Sequence, residues 1–75
     1  MKHWQKVLRR ASLIDQELVA KALALLKQHI HPPDTIKLKG EERHRSRVGN
    51  WRTFFHYESK RFVLDDIQRR DGHNY

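Results

Sequence analysis

Arginine recurs at alternate positions in the middle of this chain, as Arg43, Arg45 and Arg47, and returns as Arg52 beyond a Gly49-Asn50 pair. Side chains two apart share one face of a β-strand, so a strand here aligns these cations. Arg45 and Arg47 would then stand about 7 Å apart, a spacing suited to neighbouring phosphates of one nucleic-acid strand. The planar guanidinium grips phosphate with two parallel hydrogen bonds, which a lysine cannot do. Arg52, beside Trp51 at the exit of the turn, is the cation expected to be held most firmly. A fixed positive charge there can stabilise the charge that develops on a phosphorus centre during phosphodiester cleavage. Two plainer readings stay open. Arg52 could face solvent or pair with Glu58 or Asp65, and Arg45 and Arg47 could belong to a charge-protected edge strand.

The chain closes on a second reactive group, Arg69, Arg70, His73 and Tyr75. Tyrosine and histidine can carry a proton, and arginine can neutralise charge in the transition state. Terminal residues also commonly fray. His44 and His56 fall on expected strands and would add proton-transfer capacity. His29 and His31 have chelating spacing, but they sit at a helix end before Pro32-Pro33, with no cysteine or carboxylate pair to complete a site. No metal or other cofactor is expected. Ser/His/Asp and Gly-rich phosphate-loop signatures are missing.

These residues must be positioned by one small domain of 75 residues. A chain of this size buries about 60–65% of its unfolded surface and is marginal in stability. There are no cysteines to staple it. No apolar run reaches the roughly 18 residues of a membrane span, and no secretory leader is recognisable, so a cytoplasmic location is expected. Sixteen Lys and Arg against nine Asp and Glu leave a net charge of +7, which points to a polyanionic partner. Residues 37–52 concentrate it, with six cations (Lys37, Lys39, Arg43, Arg45, Arg47, Arg52) against Glu41 and Glu42.

The elements follow from hydrophobic period. Trp4, Val7, Leu8 and Ala11 mark one face of a first helix. Ser12 caps a second, with Asp15 three residues on. Its stripes, Ile14, Leu18, Ala22, Leu25, His29 and Val19, Leu23, Leu26, Ile30, are wide enough to be covered on two sides. Pro32 and Pro33 are expected to stop it, with Asp34 and Thr35 in the connecting loop. The period then changes to two, which predicts strands over 43–48, 51–57 and 62–68, joined at Gly49-Asn50 and at Glu58-Ser59-Lys60. The expected fold is α+β, an N-terminal helical hairpin packed on a three-stranded antiparallel meander. Trp51, Phe54, Phe55 and Phe62 are expected to meet Leu8, Leu18, Leu25 and Leu26 in its core.

Two stretches resemble a known family. Lys37-Leu38-Lys39-Gly40, then Arg45-Ser46-Arg47-Val48-Gly49-Asn50-Trp51-Arg52, are similar to the RelE/ParE superfamily of type II toxins, particularly RelE-like ribosome-dependent mRNA interferases. The ending from Ile67 to Tyr75 is similar to the family's terminal strand. The resemblance implies a toxin that cuts mRNA in the ribosomal A site through attack of the message's own 2′-hydroxyl, without metal, and that is silenced by a cognate antitoxin. It implies RNA binding by Arg45 and Arg47, and the local positive charge adds Lys37, Lys39 and Arg43 to the expected RNA-binding set. It places Arg52 at the scissile phosphate, Arg69 or Arg70 as a second phosphate-stabilising arginine, and Tyr75 at the nucleophile. The family usually opens on a β-strand, for which Met1-Lys2-His3 leaves no room, so that strand is expected to be missing. A ParE-like inhibitor of DNA gyrase and an inactive relative serving as an interaction module are the alternative functions.

Overall fold

A computed structural model describes residues 2–69. Its order is α1 (His3–Arg9), α2 (Leu13–Lys27), β1 (Thr35–Lys37), β2 (His44–Val48), β3 (Trp51–Glu58) and β4 (Arg61–Arg69). The strands form one antiparallel sheet in the order β1-β2-β3-β4. The α+β class and the helical hairpin are as expected, but the sheet has four strands, not three. The additional strand is β1, which takes Thr35 out of the expected loop.

Local chemistry sets the helix ends. The Gln5 side chain accepts from the Lys2 N–H at 3.0 Å, closing the start of α1. Ser12 Oγ accepts from the Asp15 N–H at 3.1 Å and caps α2, and Gln16 Nε2 donates back to the Ala11 carbonyl at 2.9 Å, tying the two helices together. The expectation that Pro32-Pro33 ends α2 is corrected. The helix ends at Lys27, where His29 adopts a left-handed φ of 61° and the Ile30 N–H reaches back to the Leu25 carbonyl at 2.9 Å. This is a Schellman cap built on histidine where glycine is usual.

Both helices pack on the same face of the sheet. Val19, Ala22, Leu26, Trp51, Phe55 and Ile67 are buried, and Trp4, Val7, Leu8 and Ala11 close over them. Two core expectations fail. Leu18 and Leu25 remain 37% and 38% exposed, because α2 buries only its Val19/Ala22/Leu26 line against the strands. Phe54 lies on the opposite face, since it alternates with the buried Thr53 and Phe55.

The strand registers define that opposite face. Arg47 pairs with Arg52 and Arg45 with Phe54 across β2 and β3; Arg52 pairs with Gln68 and Phe54 with Asp66 across β3 and β4. A bulge beside Phe54 leaves Asp65 as an extra residue between the partners Leu64 and Asp66. The β3–β4 turn is tighter than expected, formed by Ser59 and Lys60 alone, both with positive φ (50° and 69°).

Candidate nucleic-acid interface

The face of the sheet away from both helices carries Arg45, Arg47, Arg52, Phe54 and His56. Arg47 and Arg52 are direct cross-strand partners. Like charges so placed repel one another and destabilise the pairing. Asp34 offsets part of this, its carboxylate lying 3.7 Å from Arg47 Nε, while its carbonyl accepts the Arg47 backbone N–H at 2.9 Å. Arg45 and Arg52 have no hydrogen-bonding or ionic partner among the described residues, and the Nε atoms of all three arginines are shielded from water without a hydrogen bond. Arg45 and Arg52 therefore have no counter-charge among the described residues, and a bound anion would supply one.

Phe54 stands between this cationic end and a different group. His56 Nδ1 lies 2.8 Å from Asp65 Oδ2 and its Nε2 3.0 Å from Glu58 Oε1. Both ring nitrogens can donate at once only in the imidazolium form. The bond to Asp65 first, then that to Glu58, raises the His56 pKa above the ordinary imidazole value. The carboxylates that could have paired with Arg52 are thereby committed to His56. The strand position of His56 was readable from the sequence. Its clamp was not, because Asp65 reaches it through a bulge that alternation does not anticipate.

The other expected site residues are dispersed. Lys37 and Lys39 line a cleft of about 570 Å³ formed by residues 37–42, shared with Glu41 and Glu42. Arg43 bonds Glu41 through Nε at 2.9 Å. Arg69 pairs with Trp51, so it belongs to the helix-bearing side, and its guanidinium carbon lies 5.6 Å above the Trp51 ring. It does not join Arg52, which faces the other way. Arg70, His73 and Tyr75 lie outside the described residues.

His29, His31 and His44 build a ring cluster at the C-terminal end of α2. His29 stacks on Tyr57 at 4.2 Å, and His31 Nε2 lies 3.2 Å from the Tyr57 hydroxyl. That hydroxyl donates to the Leu26 carbonyl at 2.8 Å. Burial raises the Tyr57 pKa. His44 is pushed below the usual imidazole value, first by desolvation and then by the nearby His31 and Lys37.

Comparison with protein-family models, curated proteins and solved structures finds no significant match to this chain. None of the described helices is long and apolar enough to cross a membrane.

Proposed function

We propose that this protein binds single-stranded RNA across the helix-free face of its sheet and cleaves it as a RelE-like, ribosome-dependent mRNA interferase. The observation that carries the reading is the convergence of Arg45, Arg47 and Arg52 on one sheet face, with Arg45 and Arg52 lacking an acidic partner among the described residues. Arg45 and Arg47 grip successive phosphates. Phe54, half-buried on the same face and paired with Arg45, offers a ring for a base to stack on. Arg52 stabilises the phosphorane-like charge as the 2′-hydroxyl attacks the adjacent phosphorus and the 5′-oxygen leaves. The partner expected to silence it is an antitoxin that covers basic surface and the apolar row Leu13, Ile14, Leu18 and Leu25. Leu13 and Ile14 of that row are 75% and 77% exposed.

The test is cleavage of a message held on purified translating ribosomes. Wild-type protein is expected to cut it, and Arg52→Ala to cut about 10²–10³-fold more slowly with its fold intact. An uncut message, or an Arg52→Ala variant as fast as wild type, removes the reading.

One observation favours a second reading, an RNA-binding module that does not cleave. Arg69 stands on the far side of the sheet from Arg52. That leaves Gln68, not an arginine, opposite Arg52 on β4, with Arg61 at the far end of the strand. RNA retention without cleavage product would select this alternative.

A further inference from the structure

The helix-bearing side of the sheet holds a second basic site, apart from the arginines described above. His3, Lys6, Val7 and Arg10 lie on α1 and its C-cap at i, i+3, i+4 and i+7, the spacing of a single helical face. Together with Arg69 of β4 they line a cavity of about 310 Å³. Three permanent cations and an imidazole meet there, with no carboxylate among the described lining residues. None of the four polar side chains has an acidic partner among the described residues. Arg69 is also fixed, since its guanidinium rests over the buried Trp51 ring and keeps its donor edge free. These like charges line one exposed cavity, where an occupant of opposite charge offsets their solvent-screened repulsion.

The chemistry selects among anions. The guanidinium of Arg69 offers paired donors to two oxygens of a tetrahedral anion, and Arg10 can do the same. Lys6 adds a point charge that suits a third oxygen. Val7 closes one wall with apolar surface, which favours a compact group over an extended carboxylate chain. Arg69 is the register partner of Trp51, one position from the Arg47–Arg52–Gln68 row. The cavity and the open-face arginines therefore flank the same end of the sheet from opposite sides.

We propose that the α1–β4 cavity is a phosphate-binding pocket in which Lys6, Arg10 and Arg69 hold one phosphoryl group. The occupant is either free phosphate or a phosphate of a nucleic-acid strand that turns around the end of the sheet. The site is separate from the open face, and neither depends on the other being correct.

The experiment follows the arginine Nε–H signals by NMR in the full chain. It uses inorganic phosphate, then a short oligoribonucleotide with and without a 5′-phosphate. The variants are Lys6→Gln/Arg10→Gln, Arg69→Lys, and Arg45→Gln/Arg47→Gln as the open-face control. Circular dichroism checks that each remains folded. Saturable shifts at Arg69 and Arg10 with inorganic phosphate are expected. The affinity for inorganic phosphate read at the Arg69 signal should weaken at least tenfold in Lys6→Gln/Arg10→Gln and be unchanged in the control. Response to inorganic phosphate alone assigns the pocket to the free ion. Tighter binding of the 5′-phosphorylated oligonucleotide assigns it to a strand end, and equal binding of both oligonucleotides, lost in Lys6→Gln/Arg10→Gln, assigns it to an internal phosphate. Shifts confined to Arg45, Arg47 and Arg52, or affinity indifferent to Lys6→Gln/Arg10→Gln, would overturn the proposal while leaving the open-face reading intact.

Discussion

The Arg47–Arg52 pair sets the behaviour expected of single residues. Neutralising either arginine removes a like-charge repulsion, so Arg47→Gln and Arg52→Gln are expected to leave stability unchanged or slightly improved while weakening RNA binding. Each phosphate contact releases counterions, so the slope of log affinity against log salt should fall by about one for each arginine lost. A slope that ignores these substitutions would mean that RNA binds elsewhere. Two histidines make opposite predictions for pH. His56 has a raised pKa when folded, so its stabilisation is complete below the unfolded value, about 6.5, and is lost as pH rises through the folded value. His44 has a lowered pKa, so its contribution is present above about 6.5 and is lost as pH falls through the folded value. Urea midpoints measured from acid to mildly alkaline pH should show His56→Gln flattening the alkaline limb and His44→Gln flattening the acid limb.

At the scale of elements, the β2–β3 turn couples strand geometry to α2. Gly49 has φ +58°, and a Cβ at this position would come within 2.8 Å of Leu18 Cδ2. Gly49→Ala is expected to cost roughly 1–2 kcal/mol from the left-handed backbone. Adding Leu18→Ala would relieve only the contact, so a double-mutant cycle in urea separates the two contributions. β1 hangs on a buried polar chain. The Thr35 hydroxyl donates to Ser46 Oγ at 2.9 Å, and Thr53 Oγ1 donates to the Ser46 carbonyl at 3.2 Å. Ser46→Ala should cost about 1–2 kcal/mol by stranding the Thr35 hydroxyl, with hydrogen-exchange protection lost first in β1.

These elements also mark how far the sequence could be read. The helical hairpin and the three longer strands were visible because each carries several turns or alternations of one hydrophobic period. The strand Thr35–Lys37 was not, because three residues contain too little alternation to distinguish it from a loop. The end of α2 was hidden for another reason: a histidine took the left-handed cap position, so the first visible breaker, Pro32, lies five residues beyond Lys27. Within the site, alternation placed Arg45 and Arg47 on one strand face. The register sets Arg52 beside them and Arg69 on the other face. That separation could be seen only once the bulge at Asp65 had fixed the register of β4.

For the molecule as a whole, stability rests on a small number of large side chains. Trp51 and Phe55 are fully buried on the helix-bearing face of β3. Truncating either to alanine typically costs about 3–5 kcal/mol. A domain this small has a total stability near the low end of the usual 5–15 kcal/mol. Trp51→Ala is therefore expected to keep at most about 2 kcal/mol of stability, with its thermal midpoint lowered toward room temperature. A cooperative transition close to that of wild type would show that the core lies elsewhere. Loss of Trp51 would also remove the platform beneath Arg69, so a phosphate-binding defect in that variant carries no information about the pocket.

Each strand of the sheet pairs with the strand that follows it in the chain, and the helices are joined by a tight linkage. Nearly all of the native architecture can therefore form by closing short loops, without searching for a distant partner. The cost of closing a loop rises with its length, and mixed folds dominated by local contacts cross their barrier quickly. Refolding from urea should proceed on the order of milliseconds. The polypeptide would then acquire its basic surfaces almost as soon as its last strand is free to pair.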